Sequence, residues 1–457
     1  MNRNVFKMRK RVILDSTQII AIGFIVLILF GAVLLSLPVS SANGEYTNFL
    51  SCIFTSTSAS CITGLVVVDT VTHWSVFGQI VILLLIQIGG LGFMSLATFF
   101  SFLIRKNISF KERMRAAQSF SLFEFKGAIR IVKHIFLGTL CFEGAGAVIL
   151  SVRFIPHFGI IDGIWKGIFT SVSAFCNAGF DLMGKFSGKF SSLTAFSDDL
   201  VVCMTVMLLI VIGGLGFIVW EELFTIRKFS KFSLFSKLAI ITTGLLILSG
   251  AVLIFITEVT NPETLKPMSF KGQVLSSLFQ AITPRTAGFN TIDLAAMRDA
   301  SKVIMVVLMF IGANSGSTGG GIKVSTFSVI VVGVLCIARG KKDVTAFERR
   351  ISEGTVFRAF ALVIMAAAVL ILCSVMICFL QPELSYTDVI YECVSAFGTV
   401  GLTLGITTEL SGISQIIIIF LMYFGRVGLL TLSFAIFKRQ QRSLNKLQYP
   451  EGKVIIG

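Results

Sequence analysis

The chain has 457 residues, 55% of them hydrophobic and only 14% charged, and carries a formal net charge of +15. That much apolar surface exceeds what soluble cores could hide, so the composition excludes a soluble multidomain protein and points to a polytopic membrane protein. The positive charge does not indicate a nucleic-acid binder, because the Lys and Arg residues are scattered through short loops beside apolar runs.

A basic leader with Arg3, Lys7, Arg9, Lys10 and Arg11 precedes the first apolar run, 17–37. The pair looks like a signal peptide, but the run is too long for that apolar core and lacks a convincing cleavage site, so we read it as a retained helix. Further runs long enough for a bilayer, roughly 20 residues, lie near 74–104, 129–152, 198–226, 236–257, 301–338, 355–380 and 413–437. An all-α fold of eight transmembrane helices is predicted. The termini and the 105–133, 227–237 and 339–358 connections hold 28 Lys and Arg residues, against 7 in 38–73, 154–198, 257–300 and 381–412. By the positive-inside rule the first set is cytoplasmic, with both termini inside a multi-pass protein of the plasma membrane.

Between the first two spans, Pro38 ends the helix, and Tyr46–Ser60 is apolar yet too short to cross. It must enter the membrane and return, as must comparable segments near 162–175, 270–283 and 385–397. A helix that stops at mid-membrane leaves carbonyls without partners, which is tolerated only where the chain lines water or binds an ion. Its partial negative end also favours a cation. Each segment runs into a short loop ending in glycine: Cys61-Ile62-Thr63-Gly64, Cys176-Asn177-Ala178-Gly179, Arg285-Thr286-Ala287-Gly288 and Gly398-Thr399-Val400-Gly401. The last contains the Thr-Val-Gly of the Thr-Val-Gly-Tyr-Gly filters of potassium channels, whose carbonyls replace the water shell of the ion. Because the four terminal glycines recur about every 110 residues, we read the loops together as one selectivity filter with potassium at its carbonyls. Glycine suits these places by permitting left-handed dihedrals and close approach to one axis.

A second mark keeps step with the first. Ile88-Gly89-Gly90-Leu91-Gly92-Phe93 recurs letter for letter as Ile212–Phe217, and later copies carry Ile311-Gly312-Ala313-Asn314 and Phe424-Gly425-Arg426-Val427-Gly428. Four fused helix–pore loop–helix repeats around a central pore are expected, at 1–104, 105–228, 229–339 and 340–457. The basic connection 105–133, with Phe110, Phe120, Phe123 and Phe125, reads either as an amphipathic surface helix or as a seat for a soluble partner, and 339–358 presents the same choice.

The third repeat departs from the others, since its second helix is interrupted by a polar run, Gly312 to Lys323, containing Asn314, Ser315, Gly316, Ser317, Thr318, Gly319, Gly320 and Gly321. A phosphate-binding loop needs Lys directly after the last glycine and a preceding strand; here Ile322 intervenes and no strand precedes. Polar backbone at membrane depth lines a cavity instead. Arg426 replaces the second glycine of the mark, and a charge at a helix centre, costing around 3 kcal/mol on insertion scales, usually faces a pore or a partner. The interruption and Arg426 are together predicted to form a gate just below the filter, with Asn314, Ser315, Ser317 and Thr318 bonding across the pore. Cys141, Cys203, Cys336, Cys373 and Cys378 lie in spans and read as small core residues; His73, His134 and His157 have no metal-ligand spacing.

The filter glycines, the interruption at 312–323, Arg426 and the terminal Lys453-Val454-Ile455-Ile456-Gly457 resemble the Trk/Ktr/HKT superfamily of potassium transporters, and within it the bacterial Ktr membrane subunit of KtrB type, from about Asp15 to Gly457. The resemblance implies a homodimer with one pore per protomer, Gly457 at the dimer contact and membrane lipids around it. It also implies a cytoplasmic ring of KtrA-like nucleotide-binding regulatory subunits, so that nucleotide is expected only on the partner. Potassium is the implied substrate, sodium the implied activator, and no covalent cofactor is expected. Sodium-preferring plant relatives place serine at the first filter glycine, whereas this chain keeps Gly64. A secondary carrier with a midplane site at 312–323 is the alternative transport reading, although four phased loops count against it. No convergent nucleophile, base or metal set suggests an enzyme.

Overall fold

A computed structural model describes residues 16–92, 128–341 and 343–428. The basic leader, most of the 105–133 connection, and the tail with Gly457 and its expected dimer contact lie outside the described residues.

One order of elements occurs four times: a long apolar helix, a short buried helix, a glycine-ended loop and a second apolar helix. The first set comprises α1 (Ser16–Ser36), α2 (Phe49–Cys61), the single turn α3 (Thr70–His73) and α4 (Val76–Leu91). The second has α5 (Ala128–Phe158), α6 (Ile160–Phe175), α7 (Leu200–Leu215) and α8 (Phe217–Thr225). The third has α9 (Leu234–Glu258), α10 (Phe270–Ile282), α11 (Asp299–Phe310) and α12 (Val324–Ala338); the fourth has α13 (Glu353–Leu380), α14 (Tyr386–Gly398) and α15 (Gly412–Val427). Between α12 and α13 a small hairpin pairs β1 (Thr345–Ala346) with β2 (Arg349–Arg350), Thr345 opposite Arg350.

By length and composition, Gln18–Ser36, Lys133–Phe158, Leu234–Glu258 and Glu353–Leu380 can each cross a membrane, and α7 with α8 makes a fifth crossing if the bent pair counts as one. These long helices expose rows of large apolar side chains, such as Phe30, Leu140, Leu248 and Phe379, which suit contact with lipid. The short helices do the opposite. From Phe54 to Cys61 every residue of α2 is buried, and the last turns of α10 and α14 are equally enclosed, as is that of α6 apart from the half-buried Val172. Serine caps start several helices, with Ser75, Ser269 and Ser411 accepting the N–H of the residue three further on.

The second helices differ from the sequence expectation. The run 198–226 was read as one span and only 301–338 as broken, but α7 stops at Leu215 and α8 leaves at 96° to it. Within the described residues α4 likewise stops at Leu91 and α15 at Val427. In each case the next residue is a glycine with positive φ: Gly92 at 80°, Gly216 at 93° and Gly428 at 90°. A left-handed residue takes the backbone out of the i to i−4 ladder and ends the helix. Among the described residues, α7 and α8 are parted by Gly216 alone, whereas in the third copy α11 and α12 are parted by the residues from Ile311 to Lys323.

Candidate functional site

The four glycine-ended loops meet. A Cβ on Gly64 would lie 2.6 Å from Ala178 O; one on Gly179, 2.9 Å from Ala287 O; one on Gly288, 2.5 Å from Val400 O; and one on Gly401 would collide with Thr63 O. Each loop touches the next in chain order and the fourth returns to the first, so the loops close a ring with no room for side chains. All four glycines have positive φ, between 72° and 90°.

Two residues before each glycine stands a second left-handed residue, this time with a side chain: Ile62 at 58°, Asn177 at 59°, Thr286 at 71° and Thr399 at 51°. Such a conformation costs about 1–2 kcal/mol for a residue with a Cβ, and three of these four are β-branched. Short helix-ending bonds hold it: Thr63 N–H to Ser58 O at 2.8 Å, Ala178 N–H to Ser173 O at 2.7 Å and Val400 N–H to Ser395 O at 2.8 Å. Gly64 and Gly401 donate in addition to Ser58 Oγ and Ser395 Oγ, at 3.0 and 3.1 Å. The third loop, with Ile282 where the others have serine, closes by Ala287 N–H to Thr283 O at 2.9 Å. At about 1 kcal/mol net per hydrogen bond, these bonds only offset the strain; enclosure of the short helices must supply the rest. Among the described residues the carbonyls of Thr63, Ala178, Ala287 and Val400 accept no hydrogen bond. Buried carbonyls without partners call for water or a cation.

On one side of the ring lies a cavity of about 210 Å³ whose lining includes all four glycines and Asp69, Asp181 and Asp293. Asp69 accepts from Thr72 and from Phe190 N–H, Asp181 from Met183 N–H, and Asp293 from Ala295 N–H. Burial pushes the Asp181 carboxyl up to about 6, opposed by the Met183 N–H and Lys166 and reinforced by Asp69.

The second sequence mark acquires a reason. A side chain on Gly89, Gly213 or Gly425 would strike Ser60 O, Phe175 O or Phe397 O, four residues before each ring glycine. These glycines let the second helices press against the ends of the short helices. In the third copy Gly312 packs instead on Gly320 of its own loop.

That loop, between α11 and α12, lies against three of the four segments. Thr318 donates from Oγ1 to Phe175 O at 3.4 Å, Gly319 leaves no space for a side chain beside Thr286, and Gly320 N–H donates to Thr399 Oγ1 at 3.0 Å. Asn314 N–H and Thr318 N–H reach Gly214 O and Gly213 O at 3.1 and 3.3 Å, and Phe217 N–H reaches Gly316 O at 2.8 Å. Arg426 donates to Thr318 O and Gly89 O, and at 3.4 Å to Gly90 O, so its guanidinium joins the loop to the end of α4. Lys323 Nζ bonds Gly319 O at 2.6 Å. Of the four polar residues expected to bond across the centre, Thr318 reaches another repeat through Oγ1, and Asn314 does so through its backbone N–H alone, its side-chain amide donating to Thr243 Oγ1 of the same repeat at 3.4 Å. Ser315 and Ser317 do not; they bond Ser325 Oγ at 3.0 Å and Asn314 O at 2.6 Å, within their own repeat. Gly316 and Gly321 of this loop both have positive φ, at 70° and 68°.

The sixteen predicted filter residues form the ends of the short helices and the loops that follow them, with Cys61 and Gly398 the last residues of α2 and α14, and the predicted gate residues lie beside the ring with Arg426. Arg285 turns away from the centre: its guanidinium reaches Thr243 O and Oγ1 of α9 at 3.3 and 3.2 Å. Sequence reasoning overlooked the three aspartates of the cavity and the buried acids Glu143, Glu258 and Glu392. Glu143 carried a visible signal, an acid inside the apolar run 129–152. Glu258 is fully engaged, accepting from Asn261, Thr264, Ser301 and Arg298 N–H. Glu392 accepts from Thr407, on the cavity wall, at 2.5 Å.

A profile of the TrkH family, described as cation transport protein, matches residues 7–446. The potassium/sodium uptake protein NtpJ of Enterococcus hirae is 41% identical over 99% of this chain and 100% of its own length. The Ktr system potassium uptake protein B of Bacillus subtilis is 39% identical, covering 96% of both chains. The crystal structure of the potassium transporter TrkH from Vibrio parahaemolyticus superimposes with a TM-score of 0.70 at 18% identity, over 95% of this chain and 87% of that one, and so shares its fold.

Proposed function

The chain belongs to the TrkH family of cation transport proteins, and from that premise we propose that it takes up potassium as the membrane subunit of a Ktr-type system. The observation that carries this reading is the closed ring of four glycine loops with unbonded carbonyls. Potassium sheds its water at Thr63, Ala178, Ala287 and Val400 and exchanges it for backbone oxygen. Four repeats, at 1–104, 105–228, 229–339 and 340–457, each supply one quarter of the filter and two of eight crossings. The aspartate-lined cavity is the outer mouth, where carboxylates raise the local cation concentration. Both termini lie in the cytoplasm, below the plasma membrane.

Beneath the filter the loop from Gly312 to Lys323 and Arg426 act as a gate. For an ion about 4 Å from the guanidinium, repulsion is roughly 4 kcal/mol at an effective dielectric constant of 20, enough to slow passage more than a hundredfold. A cytoplasmic ring of nucleotide-binding subunits shifts the loop between two positions, and sodium activates uptake. The protein works as a homodimer, with Gly457 at the contact.

Purified protein in proteoliposomes tests the core of this reading. Uptake of Rb⁺ inhibited strongly by K⁺ and weakly by Na⁺ is expected. Flux without preference among these ions, or transport of an organic solute in their place, overturns it.

A further inference from the structure

Two of the long helices meet their short partners through the same bond. Ser56 Oγ donates to Ile28 O at 2.6 Å, and Ser171 Oγ donates to Glu143 O at 2.7 Å. Gly31 and Gly146, three residues further along each long helix, leave no space for a side chain beside those two hydroxyls. Ile28 and Glu143 therefore occupy equivalent places, and each is 7% exposed. The shared contact uses the backbone carbonyl, so the fold is served by isoleucine in one copy. The carboxyl group of the other copy has a different task, because an acid inside a span is costly and does not arise from packing.

Its contacts lead to the filter. Gln87 Nε2 of α4 donates to Glu143 Oε2 at 3.1 Å. The Cys176 thiol lies 3.6 Å from both Glu143 Oε1 and Gln87 Oε1, a weak donor held between two acceptors. Cys176 precedes the left-handed Asn177, whose amide donates to Arg285 O at 3.3 Å and to Thr286 Oγ1 at 3.2 Å. The second filter loop is thus held from behind at two successive residues, one toward α5 and one toward the third loop. Two residues beyond Gln87, α4 ends in the Gly89 and Gly90 carbonyls that Arg426 takes. Among the described residues no cation pairs with Glu143.

We infer that Glu143, with Gln87, is a specificity-determining positioning pair: it pins Cys176, fixes the width of the second filter loop, and so sets the preference for potassium over the smaller sodium ion. The inference rests on the potassium reading above. A loop free to shift inward would fit its carbonyls to sodium and lose the distinction.

The test compares Rb⁺ uptake and its inhibition by Na⁺ in proteoliposomes of the full-length wild type, Glu143→Gln, Glu143→Ile and Cys176→Ala. Glu143→Ile restores the residue that the first repeat uses, so it keeps the packing. Loss of one hydrogen bond at a buried polar group predicts about a tenfold weaker discrimination against Na⁺ in both Glu143 variants. Combining Glu143→Gln with Cys176→Ala should add little further, because the two act through one contact. Unchanged discrimination in both Glu143 variants at normal membrane abundance overturns the inference, as does full additivity in the double variant. A wild type without potassium preference sinks the transport reading itself and is told apart by that control. If neither Glu143 variant reaches the membrane, Gln87→Leu reads the same link, and full discrimination there overturns the inference as well.

Discussion

The ring of glycine loops and the loop beneath it are built on opposite plans. The ring repeats one local design four times, with a left-handed residue two places before a left-handed glycine, closed by bonds to the end of the segment's own short helix or its cap. The loop from Gly312 to Lys323 occurs once, and beside the bonds it makes within its own repeat, such as Gly312 N–H to Ile322 O, it makes others to Gly213, Gly214, Phe175, Thr399 and Arg426. Local closure makes a rigid element whose geometry survives movement around it. Bonds to neighbours can be exchanged when those neighbours shift, and glycines at 312, 316, 319, 320 and 321 lower the backbone barrier to doing so. Under the proposed function, recognition of an ion profits from the first plan and control of its passage from the second.

The contrast is broken most severely by placing a side chain in the ring. Gly401→Ala would drive its methyl into Thr63 O, and we expect potassium uptake to fall more than a hundredfold, given a left-handed residue and a backbone clash together. Gly64→Ser, facing Ala178 O, should retain uptake but weaken potassium preference over sodium by about tenfold. Competition between Rb⁺ and Na⁺ in proteoliposomes reads both; equal preference in Gly64→Ser and wild type would show that the ring does not select.

Arg426→Gln sharpens the other half. The loop should lose its bond to α4, and basal cation flux should rise by more than about a hundredfold, toward the size of the barrier of roughly 4 kcal/mol estimated from its charge, with weaker dependence on a cytoplasmic partner. Flux that stays level at normal membrane abundance would make the region scaffold. Gly213→Ala, whose methyl would meet Phe175 O, tests the seam between ring and second helix. We expect a loss of about 1–3 kcal/mol in stability, read as a lower midpoint of thermal unfolding in detergent, with ion preference retained in the protein that folds.

The smallest expected effect concerns the outer mouth. Because the Asp181 carboxyl sits at about 6, it is charged above that pH and neutral below it. Uptake at limiting potassium should therefore decline roughly two- to threefold as external pH drops from 7 to 5, an estimate based on the loss of one steering charge. Asp181→Asn should flatten the decline; an identical slope in the variant would assign it to another group.

What the linear sequence determined is whatever depends on residue type at a fixed spacing. The apolar runs, the phased ring glycines and the lone Arg426 are of that kind, since hydrophobicity and backbone permission belong to single residues and repeat with the chain. The glycines at 89, 213 and 425 were equally visible, but their reason was not, because the atoms they avoid lie in a different helix. The breaks after Leu91, Leu215 and Val427 were missed for a related cause: a glycine within an apolar run suits a helix as well as its end, and only packing selects the left-handed dihedral. Asp69, Asp181 and Asp293 lie more than a hundred residues apart and become one cavity wall only when the four repeats close around an axis. Glu143 and Cys176 likewise belong to one another by proximity alone, across a helix and a loop. Closure was left to the tertiary structure because a ring of backbone contacts has no residue of its own to announce it.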